Sequence, residues 1–336
     1  MNSAVWQANA TMETLQQRDA LLQQVRQFFC QRQVLEVETP ALARYSVTEP
    51  TMAVLSADNP MGQPNGQRYY LQTSPEYAMK RLLVAGSGAI YQLAKAFRQG
   101  EKGSRHNPEF SMLEWYRPGF DHLQLMAEVE ALVGAVFARG RSLIGAGPSS
   151  SWGPFEKISY RDVFIQYLAI DPYLLNCTDL QAIARAKLDI QMQSDNKDDW
   201  LNLLLAELIE PHLGQTVPLF VYDYPASQSA LAKVVADQHG NPVAQRFELY
   251  IKGIELANGY FELTDAQEQS KRFEYDQQIR RQQQLPMVES DAFLTAALAE
   301  GLPSCAGVAL GFDRLVMLSL GKSSIDDVLA FPIDRA

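Results

Sequence analysis

Between residues 89 and 116, two runs rich in β-forming side chains flank a short loop crowded with cations. The first run is Ala89 to Phe97 and the second Phe110 to Tyr116; between them stand Arg98, Arg105, His106 and the turn-forming pair Asn107-Pro108. Strands of this pattern so close in sequence predict an antiparallel hairpin with the cationic loop at its tip. The fold must then contain an antiparallel sheet that gathers three cations at one end. Arginine offers planar, bidentate donors to phosphate oxygens and stays charged at any working pH. Phe110, directly after the loop, adds a face on which a flat ring can stack. Any one of these cations alone reads as a solvated loop residue, but three within nine residues favour a polyphosphate ligand.

The chain as a whole is acidic, with a formal net charge of −10 over 336 residues. That balance argues against wrapping DNA, because phosphate neutralisation dominates such affinity, but it leaves room for a local cationic pocket. Cys30, Cys177 and Cys305 are far apart and form no CxxC, which argues against a disulfide framework or structural zinc site and fits a reducing, cytoplasmic setting. The Gln-rich start lacks the features of a signal peptide, and no segment approaches the roughly 20 apolar residues that span a bilayer, so no membrane association is expected.

Along the chain, residues 1–14 read as a loose arm and 15–31 as a helix with Leu21, Leu22, Val25, Phe28 and Phe29 on one face. Val34 to Thr39 reads as a short strand stopped by Pro40, and Asp58 to Gln67 as a loop. Tyr69 to Thr73 reads as a strand, after which Ser74, Pro75 and Glu76 supply an N-cap, a first-turn proline and an acidic first turn. Residues 120–215 are read as a helical insertion, with a Gly/Ser linker over 140–152 and helical segments over 160–213. Strand patterns return at Pro218 to Tyr224 and Gln245 to Ile254, and Thr264 caps a polar helix reaching Gln284. Gly307 to Leu318 is a glycine-spaced strand turning into a helix.

Three further constellations carry possible chemistry. Glu255 and Glu262 flank Asn258-Gly259, a hairpin-turn signal, so a turn there would let the two carboxylates converge in a manner suited to Mg²⁺. Gly307 and Gly311 let a flat ligand approach a strand, with Arg314 opening the following helix. Ser74, Glu76, Glu114 and Tyr116 supply carboxylates and hydroxyls that fit a ligand bearing amino groups.

In this order, the strand ending at Pro40, the segment from Phe97-Arg98 to Phe110, and Gly311-Phe312-Asp313-Arg314 resemble motifs 1, 2 and 3 of class II aminoacyl-tRNA synthetases. Thr73-Ser74-Pro75-Glu76 and Glu255-Leu256-Ala257-Asn258-Gly259 are similar to the lysyl branch, and the resemblance covers residues 15–336. It implies an α+β fold, an antiparallel sheet flanked by helices with the helical insertion between motifs 2 and 3, in a homodimer formed through motif 1. It implies that Arg98 and Arg314 are catalytic and bind ATP together with Gln99, Gly100, Arg105, His106, Asn107, Phe110, Glu255, Leu256 and Gly311. Ser74, Pro75, Glu76, Glu114, Tyr116, Glu262 and Ala309 would line the amino-acid pocket, and Glu255 and Glu262 would carry Mg²⁺.

Motif 1 begins almost at the N-terminus, leaving no room for an anticodon-binding domain, so anticodon recognition is not expected. Ala309 stands where lysyl-tRNA synthetases carry glycine, and Gly100 where the motif carries glutamate. A short chain with these features resembles the ligases that activate (R)-β-lysine with ATP, releasing AMP and pyrophosphate, and attach it to a lysine of elongation factor P. The alternatives are a tRNA-independent paralogue using another amino acid, such as an ammonia-using asparagine synthetase, and a non-catalytic sensor of ATP and amino acid.

Overall fold

The computed structural model describes residues 6–62, 66–146 and 152–336. Parts of the expected arm (1–5), of the loop after Asp58 (63–65) and of the linker (147–151) lie outside the described residues. In chain order the elements are α1 (Met12–Gln31), β1 (Leu35–Glu36), β2 (Leu42–Ala43), β3 (Ser56–Asp58), β4 (Arg68–Leu71), α2 (Glu76–Val84), β5 (Ile90–Phe97), β6 (Glu109–Pro118) and α3 (His122–Leu143). There follow β7 (Glu156–Ser159), α4 (Tyr160–Leu168), α5 (Cys177–Lys187), α6 (Lys197–Leu204), β8 (Leu219–Pro225), β9 (Val234–Ala236), β10 (Pro242–Ile251) and β11 (Ile254–Phe261). The chain ends with α7 (Ala266–Gln282), α8 (Ala292–Gly301), β12 (Cys305–Gly311) and α9 (Phe312–Ser319). It divides into two compact units, the first drawn from the described residues of Met1–Phe120, Ala131–Ser151 and Thr264–Ala336, the second from Asp121–Glu130 and Trp152–Leu263.

In the first unit the expected hairpin is present: β5 and β6 pair antiparallel from Ile90↔Tyr116 to Phe97↔Glu109, and β12 adds to β6 from Cys305↔Pro118 to Gly311↔Met112. The edge differs from the antiparallel expectation, since β1 runs parallel to β5. Odd-numbered residues of β6 face the helices. There the Phe29 ring of α1 stacks on Tyr91 at 4.3 Å and meets Trp115 edge-on at 5.3 Å, and Leu113 is fully buried. Even-numbered residues Phe110, Met112, Glu114 and Tyr116 face the other way, in register with Gly311, Ala309 and Gly307 of β12. Helix α1 starts at Met12, earlier than expected, because the Thr11 side chain accepts from the Thr14 amide. Two other starts shift by one residue. Pro75 occupies the cap position of α2, with the Ser74 hydroxyl still accepting from the Glu76 amide at 3.0 Å, and Asp265 rather than Thr264 caps α7.

The second unit holds the strand order β11-β10-β8-β7, with β9 also on β10 and a parallel β7/β8 pair at the far edge. Its core gathers Tyr160, Phe164, Trp200, Leu204, Tyr224 and Tyr250. The hairpin turn is not at Asn258-Gly259, which lie inside β11; it is at Lys252-Gly253, with φ of 53° and 67°. Two consecutive positive φ angles are what a tight two-residue hairpin demands. A turn at 258–259 would leave the returning strand too short to cover the buried run of β10 before α7 begins. Gly253 also sits where a Cβ would come within 3.0 Å of the Glu210 carbonyl, so the backbone itself selects glycine.

Asp223, on β8, holds a left-handed φ of 57° and is half-buried; burial first, and the Asp237 charge second, push its carboxyl up to about 6. His122 Nε2 lies 3.9 Å away, but burial lowers the His122 pKa, so at neutral pH the imidazole offers no counter-charge. An acid whose folded-state pKa is raised adds stability at low pH and loses it as pH rises through about 6. Asp223→Asn, a residue that tolerates this φ, is therefore expected to stabilise the protein by about 1–2 kcal/mol at pH 8 and not at pH 4, read from denaturant midpoints at the two pH values.

Candidate active site

The loop joining β5 to β6 turns tightly through reciprocal backbone hydrogen bonds between Gly103 and His106. Gly100 has φ +81°, which explains glycine where the motif carries glutamate: a side chain there would be strained although space is open. The neighbouring Glu101 instead faces Arg98 at 3.8 Å. The Arg98 guanidinium lies 5.2 Å from the centre of the Phe110 ring, and its Nε is buried without a partner among the described residues. Gln99 is exposed, with its amide bonded to the Ala53 carbonyl.

Arg314, at the start of α9, reaches this loop. Its Nη2 stands 2.6 Å from His106 Nε2, and its Nε donates to the Arg105 carbonyl at 3.2 Å. Burial, then the Arg314 charge, lowers the His106 pKa, so the ring accepts as a neutral imidazole. The obvious competitor, an Arg314–Asp313 pair, does not form: Asp313 is buried against Arg18 of α1 and accepts from the Ser111 amide at 2.7 Å. Asn107 is buried, its amide donating to the Glu109 carbonyl at 2.7 Å and accepting from the Ile333 amide at 3.0 Å. The three arginines, His106 and Phe110 thus come together in one unit, around β5, β6 and α9.

On the even face of β6, Glu114 is 1% exposed and accepts from Ser74 Oγ at 2.6 Å and from the Tyr116 hydroxyl at 2.7 Å. Gln92 and Ala309 stand directly beside it on the flanking strands, and the Thr39 hydroxyl donates to Gln92 at 2.9 Å. Glu76 is held by Lys80, one helical turn on, at 2.7 Å. Sequence reading missed Lys80 and Gln92. A lysine between Met79 and Leu83 on the buried face of α2 is the signal that could have found the first. Gln92 carried none, since its burial follows from strand register.

In the second unit, Glu255 pairs with Tyr250 and Ala257 with Leu249, so Leu256 is an extra residue. This β-bulge shifts the alternation by one and brings Glu255 onto the same face as Asn258, Tyr260 and, by continued alternation, Glu262. A regular strand would have put the two glutamates on opposite faces. Glu262 is 2% exposed, Leu256 is buried at the bulge, and the Asn258 Oδ1 has no partner among the described residues. Beside them, Tyr224 and Tyr250 both donate to Glu248, which also pairs with Arg246. Among the described residues no three metal-binding side chains cluster. Two hard carboxylates and an amide oxygen on one face nevertheless fit Mg²⁺, which takes few protein ligands.

This combination of antiparallel strands, a cationic hairpin loop and a glycine-spaced strand leading to an arginine defines a class. Residues 3–335 match the family described as tRNA synthetases class II (D, K and N), and the chain belongs to it. It is also 47% identical over 340 residues to a protein of Pseudoalteromonas translucida (strain TAC 125) named elongation factor P–(R)-β-lysine ligase, a match covering 100% of both chains. The protein of that name from Salmonella typhi is 46% identical over 339 residues, 99% of each chain. No helix among the described residues is long and apolar enough to cross a membrane.

Proposed function

We propose that this protein is an ATP-dependent ligase that activates (R)-β-lysine as its adenylate and transfers it to a lysine ε-amino group of elongation factor P. The observation that carries this reading is the full-length identity of 47% to a ligase of that name. The carboxylate oxygen of the amino acid attacks the α-phosphorus, pyrophosphate leaves with its electron pair, and the amine of the partner lysine then displaces AMP from the acyl carbon. Both first reactants are anions, so positioning and charge neutralisation supply most of the acceleration. Arg98, Arg105 and Arg314 hold phosphate oxygens, and His106, neutral, steers Arg314. Phe110 carries the adenine, with Gln99, Gly100, Asn107 and Gly311 shaping the nucleotide's surroundings. Glu255 and Glu262 would hold Mg²⁺, which when bound neutralises phosphate charge. Glu114, oriented by Ser74 and Tyr116, takes a substrate ammonium, with Pro75, Glu76 and Ala309 completing that side of the pocket. The protein acts in the cytoplasm as a homodimer.

ATP–pyrophosphate exchange with (R)-β-lysine, α-lysine and aspartate side by side tests the reading. Greatest stimulation by (R)-β-lysine, followed by its transfer to elongation factor P, supports it; greater stimulation by α-lysine or aspartate overturns it. Gly100, the departure from motif 2 that would suit a non-catalytic sensor, has a backbone reason in its left-handed φ and so lends that alternative no support.

Ala309 is the expected discriminator. Its methyl stands in register with Glu114, where moving the ammonium from the α to the β carbon changes the space required. Ala309→Gly is expected to raise the kcat/KM ratio of α-lysine over (R)-β-lysine about tenfold, the scale of one methyl group in a fitted pocket. An unchanged ratio would assign discrimination elsewhere.

A further inference from the structure

The cationic loop is stitched to a segment more than two hundred residues away in sequence. Lys102 Nζ bonds both oxygens of Asp326, at 3.0 and 3.1 Å, and lies 3.3 Å from Asp334. The Ile325 amide donates to the Ser104 carbonyl at 2.8 Å, and the Ile333 amide to Asn107 Oδ1 at 3.0 Å. A second layer fixes that segment in turn. The amides of Asn9 and Ala10 donate to the carbonyls of Ala330 and Leu329, the Asn9 side chain donates to the Asp326 carbonyl, and Arg335 donates to the Gln7 carbonyl. Among the described residues, the loop's own backbone between Arg98 and Pro108 contributes the hairpin bonds at its tip and base and a Lys102–Gly100 contact. Besides the Gln99–Ala53 bond and the reach of Arg314 to Arg105 and His106, this strap supplies the loop's ties at Lys102, Ser104 and Asn107.

We propose that residues 325–335 are a positioning strap for the nucleotide loop, with Lys102 as its ionic clasp to Asp326 and Asp334. A loop held in its binding shape beforehand loses less conformational entropy when a ligand arrives, so the clasp contributes to affinity without touching the ligand. The inference rests on the loop being the ATP site.

The test is the dissociation constant for ATP, measured by calorimetry on the full chain. Lys102→Met is expected to weaken ATP binding about fivefold, the scale of a half-exposed ionic cluster plus lost preorganisation. The KM for the amino acid and the thermal midpoint should stay within error, and Lys102→Arg should restore tight binding. Asp326→Asn with Asp334→Asn should weaken ATP to the same extent, and adding Lys102→Met to that pair should do nothing more. If the wild type binds ATP and Lys102→Met binds it equally well, the strap has no positioning role while the ATP reading stands. Additive losses, or parallel losses in ATP and amino-acid affinity, also overturn the proposal. A wild type that binds no ATP overturns both.

Discussion

Arg98→Ala is expected to lower amino-acid-dependent ATP–pyrophosphate exchange by at least about a thousandfold, while the thermal midpoint stays within a few degrees. The two halves of this expectation come from the same geometry. Within the fold Arg98 does little: its ion pair with Glu101 spans 3.8 Å, is partly exposed, and is worth a fraction of a kcal/mol at most. Toward a ligand it offers much. Its guanidinium lies over the face of Phe110, and a buried Nε is still without a partner among the described residues. A group so weakly used in the free protein is available to the charge that develops on the α-phosphate. Arg98→Lys should recover part of the loss, because it keeps the charge and loses the bidentate fork. Undiminished exchange in Arg98→Ala would contradict the assignment, and circular dichroism with melting would establish that the variant is folded.

Glu114→Gln should raise the KM for (R)-β-lysine about a hundredfold and leave the dissociation constant for ATP unchanged. The substitution keeps shape and volume, so β6 and its neighbours stay packed. It removes the charge from a side chain that is 1% exposed and already accepts two hydroxyl hydrogen bonds. An ammonium entering that site loses its water, and the neutral amide repays less of that cost than the carboxylate does; Glu76, the other acid assigned here, is already paired with Lys80 at 2.7 Å. Exchange measured at saturating ATP over a range of amino-acid concentrations gives the KM, and calorimetry gives the ATP affinity. If both constants move together, Glu114 supports the fold and does not read the substrate.

The parts of the fold and site that sequence made legible were governed by local rules. The β5–β6 hairpin was readable because both strands are rich in β-formers and the loop between them is polar. Gly311 and Arg314 were readable because a glycine-spaced strand leads straight into an apolar helix. What escaped depends on residues brought together by the chain's path. The Asn258-Gly259 signal is a sound local rule, overruled because β10 needs a partner strand of comparable length. The bulge at Leu256 exists only in relation to β10 and so leaves no mark on β11 read alone. Strand β1, two residues long, is too short for any period to reveal its parallel pairing. The clasp from Lys102 to Asp326 joins two ordinary surface charges whose meeting no motif announces.

The bulge in β11 also separates two kinds of change that this stretch can undergo. Exchanging one side chain for another between Glu255 and Glu262 alters what the strand face carries and leaves both glutamates on it. Removing Leu256 would take the bulge with it and leave the glutamates six apart, still on one face, whereas straightening the bulge at unchanged length would swing Glu255 to the opposite face. For this segment the bulge and the odd spacing of the two carboxylates offset one another, so either can change without parting the pair only if the other changes with it.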